Sequence, residues 1–271
     1  MLLWLLIPIV GTLLMNSAEA AAPSKPLIFA GSGANILITE RLVEAFTKVQ
    51  PNIRIEIPKS LGSTGGIRAV ADGAITVGLV SRELTEAEKR LGLAVWTYAR
   101  MPLILGAHVD VPDDSVTFEE LVQIYQGTKT RWKDGNEIIV LTRQPGEGPI
   151  VTLEKSVPGF REAYAESQRL RRWITLVRGD DMNRLIQKVP HTFGLFDPAD
   201  ILEGVRFKPL RVNGVAATPE NVQAGRYALV RTLECAYRKD TLPAGAGAFF
   251  AFIRSKDGEK VLRAYGYAPG E

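Results

Sequence analysis

"PLIFAGSGANILITERLVEAFTKVQPNIRIEIP" occupies residues 26–58. Residues 26–30 form a short apolar strand candidate, and the turn Gly31-Ser32-Gly33-Ala34-Asn35 follows. Beyond it Ile38, Leu42, Val43, Phe46 and Val49 recur at helical spacing. Residues 52–58 then alternate apolar and polar, the period of a strand. A second Gly/Ser-rich turn, "KSLGSTGG" (59–66), leads into the short helix "IRAVADGA", and "ITVGLV" (75–80) reads as another strand. This β-turn-α-β-turn-α-β order predicts an α/β fold, a mainly parallel sheet with helices on its faces.

The same grammar continues outward. "MPLILGAHV" (101–109) is a buried strand. Thr117, with Glu120 three residues later, predicts a capping box, and the helix it opens ends near Gly127. "NEIIVLTR" is a strand and "PIVTLEKSV" the helix after it. A longer helix covers 161–172, and "WITLVRG", "DDMNRLIQKV" and "HTFGLF" make strand, helix and strand, with Asp180-Asp181 at the helix N-terminus. "VRFKPLRVN" and the strand "ALVRTLECAYR" precede a single terminal helix, "GAFFAFIRSKDGEKVLRAYG". The prediction is two lobes. Residues 24–103 and 231–271 form the first and 104–230 the second, with two crossing strands and a cleft that can open and close.

The 271 residues are 46% apolar and 23% charged, enough for one large domain or two modest ones. Thirty-three basic and 30 acidic residues give a net charge of +3. They are well mixed, which argues against a nucleic-acid partner; Arg169-Leu170-Arg171-Arg172 is a solvated helix face. "MLLWLLIPIVGTLLM" has the length of a signal-peptide core, and Ala18-Glu19-Ala20 supplies small residues for cleavage, so residues 1–20 read as a signal peptide. Its removal deletes Glu19, leaving +3 − (−1) = +4. Cys235 is the lone cysteine. An exported, disulfide-free chain suits a periplasm.

Three turns share one design of strand, Gly/Ser-rich turn and helix: residues 31–35, residues 61–66, and Arg143 through Pro149. Exposed N–H groups at a helix N-terminus, backed by the helix dipole, bind anions without a side-chain cation. Turns at the carboxyl ends of strands face the crevice where open α/β sheets take ligands. Residues 31–33 lack the third glycine of a dinucleotide fingerprint, and no Gly-Lys-Ser/Thr makes a P-loop.

With these turns placed, the chain resembles the periplasmic phosphate-binding proteins of ABC transporters. "GSGANI", "KSLGSTGGIRAV", "VGLVSRELTEAE", "LTRQPGEGP", "LRVNGVAATPENVQAGRYALVR" and "FFAFIRSKDGEKVLRAYGYAP" fall in that family's order from about residue 26 to 270. The resemblance implies the two-lobed periplasmic-binding-protein fold (type II), no cofactor, and a monomer that hands a small anion to permease subunits. It also implies site residues. The family's first-turn hydroxyl falls on Asn35, with backbone N–H groups from Gly33, Ala34 and Ile36. Its second-turn serine falls on Ser63, beside Thr64 and Gly65. Its buried aspartate, which accepts a proton from phosphate, falls on Ser81. Its arginine falls on Arg143, and its Ser-Gly-Thr on Glu147-Gly148-Pro149, where Pro149 suits the first turn of a helix.

Two residues leave alternatives open. Glu147 sets a carboxylate inside an anion site, at a cost of several kcal/mol unless it is protonated or paired. It turns outward to cap the next helix, pairs with Arg143, or accepts from an organic or zwitterionic ligand. Arg82 is either a second cleft cation or a partner of Glu83 or Glu86. His108 and His191 lack ligand spacing for a metal, Ser32 and Ser63 have no recognisable base, and Trp96, Trp132 and Trp173 are packing residues. The expected function is capture of phosphate or a related oxyanion. A sensor of the same fold for a small organic anion, and an exported phosphate-ester hydrolase, are the competing classes.

Overall fold

A computed structural model describes residues 25–270; the predicted signal segment, residues 1–20, lies outside the described residues. From the N-terminal side, β1 (Leu27–Gly31), α1 (Gly33–Val49), β2 (Ile55–Glu56), α2 (Gly62–Ala71), β3 (Val77–Val80) and α3 (Glu86–Lys89) lead into β4 (Ala94–Pro102). Next come β5 (Ile104–Ala107), β6 (Ser115–Val116), α4 (Phe118–Gln126), β7 (Ile139–Arg143), α5 (Gly148–Ser156) and α6 (Phe160–Arg169). They are followed by β8 (Ile174–Leu176), α7 (Gly179–Lys188), β9 (Thr192–Phe196), α8 (Pro198–Leu202), β10 (Lys208–Pro209), β11 (Arg211–Val212) and α9 (Pro219–Gln223). The chain closes with β12 (Val230–Tyr237), α10 (Ala244–Ile253), α11 (Lys256–Ala264) and β13 (Ala268–Pro269).

Two large sheets result, one of six strands in the order β13-β4-β12-β3-β1-β2 and one of five in the order β10-β5-β9-β7-β8, with β11 and β6 forming a separate parallel pair. Pairs built by β-α-β units are parallel: β1 with β2 and β3, and β7 with β8 and β9. The crossing strands and the chain's return add antiparallel pairs, β12 with β3 and β4, β13 with β4, β5 with β9 and β10. The ladders are therefore mixed, although most strands in each sheet still point one way. β4, opposed to β12, runs with β1, β2 and β3. β10, opposed to β5, runs with β7, β8 and β9. A crossing strand must leave one sheet and re-enter it, and the return leg can pair only against the outgoing one.

Each sheet has its own core. Phe29, Ile38, Leu42, Phe46, Leu79, Leu233, Phe249 and Leu262 close the first. Leu105, Leu121, Tyr125, Val140, Leu153, Phe160 and Phe193 close the second. The two strands that link the sheets pair along β4 and β12 and are tied once more where they leave the first sheet. Leu103, fully buried between β4 and β5, donates its N–H to Leu229 O at 2.8 Å and accepts from the Tyr227 hydroxyl at 2.6 Å.

Two glycines of the opening stretch serve packing. A Cβ on Gly66 would lie 2.7 Å from Ala30 O, and one on Gly31, at φ 153°, would lie 2.1 Å from Leu79 O. The first lets α2 press its backbone on the end of β1, and the second lets β1 lie close against Leu79 of β3. The Thr117–Glu120 capping box forms, and Gly127 ends α4 at φ 75°. Asp180 and Asp181 occupy the first turn of α7. The predicted single terminal helix is two. Ser255 caps α11 by accepting from Gly258 N–H at 3.3 Å, and a Cβ on Gly258 would lie 2.3 Å from Phe252 O, so the new helix starts hard against the old one. Residues 94–100, unassigned in sequence, form most of β4.

Candidate functional site

The end of β1 is where the first turn acts. Ser32 is the N-cap residue of α1, and its hydroxyl lies 2.7 Å from that of Ser81, just past β3. The N–H groups of Gly33 and Ala34, in the helix's first turn, have no acceptor within the helix. Asn35 departs from expectation. It is fully buried, and its amide donates to Val80 O at 3.3 Å and to the Tyr98 hydroxyl at 3.1 Å. The side chain that was to hold a ligand instead ties α1 to β3 and β4 beneath the turn. Ile36 is the fourth residue of α1, where the helical ladder already supplies an acceptor for its N–H.

The second turn reaches the same place. Ser63 Oγ accepts the Ser81 N–H at 3.3 Å, so hydroxyls of Ser32, Ser63 and Ser81 form one cluster between the starts of α1 and α2. Ser63 and Thr64 contribute first-turn amides; Gly65 follows, half-buried. Arg82 takes the Glu88 carboxylate, not that of Glu83 or Glu86, and donates to the Glu83 carbonyl at 2.9 Å. It pairs through two bonds of 2.8 Å with Glu88, and Nη2 also donates to Thr64 Oγ1 at 2.8 Å. These bonds from Arg82, with Thr85, hold the Glu88 carboxyl down to about 2.

The third turn resolves Glu147. Arg143 Nε donates to Glu147 Oε2 at 2.8 Å and Nη2 to the same oxygen at 2.5 Å, while Gln144 N–H reaches Oε1 at 3.2 Å. Glu147 stands at the N-cap position of α5 but makes no side-chain cap bond. Of the three readings, the structure takes the pairing with Arg143. The family-type arginine is thus held by short bonds to a carboxylate of its own turn, which occupies its Nε and Nη2 donors. Gly148 and Pro149 begin α5 as expected.

The residue that joins these turns was missed in the sequence. Arg231, at the start of β12, has a side chain only 9% exposed. Nη2 lies 3.4 Å from Ser81 Oγ, Nη1 lies 3.3 Å from both carboxylate oxygens of Asp197, and Nε is buried without a partner. A Cβ on Gly148 would sit 2.4 Å from Nη2. One guanidinium therefore touches Ser81 beside α1 and α2, Gly148 heading α5, and Asp197 at the N-cap of α8. An arginine inside an apolar crossing strand was the available signal. Such a cation is costly to bury unless something polar meets it.

Around this point the sheets also meet through a Lys155–Glu83 ion pair from α5 to the loop after β3. Elsewhere Trp132 Nε1 donates to His191 O at 2.9 Å. Among the described residues no three His, Cys, Asp or Glu side chains gather as metal ligands, and no helix is long and apolar enough to cross a membrane.

Known proteins share this architecture. A phosphate-binding protein of Streptococcus agalactiae is 28% identical over 43% of this chain, a match that spans 39% of that protein. A phosphate-binding protein of Borreliella burgdorferi is 20% identical over 97% of this chain and 96% of its own length. A phosphate ABC transporter substrate-binding protein from Clostridium perfringens, solved with bound phosphate, superposes with a TM-score of 0.76 at 24% identity, covering 91% of this chain and 100% of that one. At that identity the likeness is one of fold, two lobes joined by crossing strands. The model of the PBP superfamily domain matches residues 16–257, and the chain belongs to that family.

Proposed function

We propose that this chain is an exported solute-binding protein that captures phosphate or a related small oxyanion between two lobes and delivers it to an ABC transporter permease. The observation that carries the reading is the meeting of three helix N-termini, those of α1, α2 and α5, around Ser81 and Arg231. Amides of Gly33, Ala34, Ser63, Thr64 and Gly148 and hydroxyls of Ser32, Ser63 and Ser81 all offer donors to one small anion. With Ser81 in place of a carboxylate, the cluster can donate to a ligand oxygen or accept its proton.

The lobes in this reading are 24–103 with 231–271, and 104–230. Closure draws α5 onto the starts of α1 and α2, and ligand contacts from both sides favour the closed form. Export through residues 1–20 places the protein outside the cytoplasmic membrane. The serines argue for binding over hydrolysis, since Ser32 and Ser63 bond to Ser81 and to no base. A second reading, a small organic anion or zwitterion, draws on Glu147, which could turn from Arg143 to a ligand ammonium.

A thermal-shift series on residues 21–271 tests this, with inorganic phosphate, sulfate, molybdate and small carboxylates. A ligand at about 100 times its Kd adds about 2.7 kcal/mol, a rise of roughly 5–10 °C for a chain of this size. No shift with any oxyanion at millimolar concentration overturns the oxyanion reading. A shift with carboxylates or amino acids alone favours the second.

A further inference from the structure

The cluster at the start of β12 holds a buried cation with its hydrogen bonds incomplete. A guanidinium carries five N–H donors in a planar fork. In Arg231 those donors find only long contacts: 3.3 Å to each oxygen of Asp197 and 3.4 Å to Ser81 Oγ, with Nε buried and unbonded. Charge-assisted N–H···O bonds ordinarily settle at about 2.7–2.9 Å. The two other arginines at the turns pair more tightly, at 2.8 Å for Arg82–Glu88 and 2.5 Å for the shorter Arg143–Glu147 bond. A cation nine-tenths removed from water and loosely held is costly, and what it faces are the first-turn amides of three helices. Both features are satisfied by one guest, a small anion with oxygens on several sides.

We infer that Arg231, and not Arg143, is the charge that binds the oxyanion, its Nε and Nη2 donating to the ligand between Ser81 and Gly148. This deepens the function proposed above and rests on it. Asp197 is then a positioning residue, holding Nη1 so that the other edge of the fork faces the serine cluster. The crossing strand thereby carries the ligand's main charge contact at the pivot, beside Gly148 of the other lobe. Arg143 and Glu147, a neutral pair, line the rim.

The test is calorimetric titration of inorganic phosphate into residues 21–271 of wild type, Arg231→Lys and Arg231→Gln, with apo melting temperatures recorded for each. Loss of a charged hydrogen-bonding partner weakens binding by roughly 30-fold or more in Arg231→Gln. Arg231→Lys, which keeps the charge and loses the fork, falls between it and wild type. A second measurement spares the fold. The Nε–H resonance of Arg231, assigned by its absence in Arg231→Lys, moves downfield on phosphate addition and saturates with the calorimetric curve. Wild type that binds no oxyanion by either method overturns the function and this inference together. Wild type that binds while Arg231→Gln retains its affinity, or while the Nε–H signal stays fixed at saturation, overturns the inference alone.

Discussion

Replacing Gly148 with alanine isolates the contact between α5 and Arg231 without touching the arginine. The added methyl would stand 2.4 Å from Nη2, 2.7 Å from Cζ and 3.0 Å from Nε, where ordinary contact begins at 3.4 Å. The guanidinium must therefore withdraw by about 1 Å (3.4 − 2.4). Nη2, already at a long 3.4 Å from Ser81 Oγ, is thereby moved from its place between Ser81 and Gly148. The Gly148 N–H survives in Gly148→Ala, so any loss of affinity belongs to the displaced charge. A charge-assisted bond contributes about 1.5–3 kcal/mol, so phosphate binding should weaken by roughly 10- to 100-fold. Overpacking costs about 1–3 kcal/mol in the apo protein, a fall of a few degrees in Tm. Titration calorimetry measures the first and differential scanning calorimetry the second. Unchanged phosphate affinity, with or without a lower Tm, would refute the placing of Arg231 in the ligand's shell.

Three further outcomes follow from the charges. Glu147→Gln leaves Arg143 unneutralised beside the site and should tighten phosphate roughly tenfold at low salt; a loss of affinity instead would assign Glu147 to the ligand. The Glu88 carboxyl, ordinarily near 4.5, is held at about 2 by Arg82, so its pairing stabilises the fold above 4.5 and is lost as pH falls through 2. Glu88→Gln should melt below wild type at pH 7, with the gap closing over that window; a gap that persists at the acid end contradicts the pairing. Burial acts the other way on Glu234, raising its carboxyl above 4.5, so the ionised form at neutral pH opposes folding. Glu234→Gln should raise Tm at pH 7 and lose that gain below pH 4.5, and a lower Tm at pH 7 would sink the argument.

The fold was legible because the β-turn-α period repeats cleanly from residue 26 to residue 80 and the capping residues are strong. The breaks came where tertiary contact overrides local pattern. Residues 247–266 read as one helix even though Arg254 through Lys260 carry no apolar side chain, and the packing of Gly258 on Phe252 O shows why the helix restarts within that polar run. The turns were found as anion-binding shapes, yet their side chains divided differently. Asn35 looks like a cleft donor from its place in the turn, but its amide is spent in the core on Val80 O and the Tyr98 hydroxyl. Glu147 could be weighed but not decided, since spacing alone cannot say whether an i, i+4 carboxylate turns back to its arginine. Arg231 carries no turn or motif signal. Its strand reads as a crossing strand, but that Ser81, Gly148 and Asp197 gather around its guanidinium is a matter of tertiary packing that no local window contains.

The most direct measurement is a ¹⁵N-resolved amide titration of the ¹⁵N-labelled protein with inorganic phosphate. The account predicts large shifts at Gly33, Ala34, Ser63, Thr64 and Gly148 that saturate at one common concentration, because amides from both lobes close on the same anion. Shifts confined to one of the three turns, or falling on a surface away from Ser81, would contradict it.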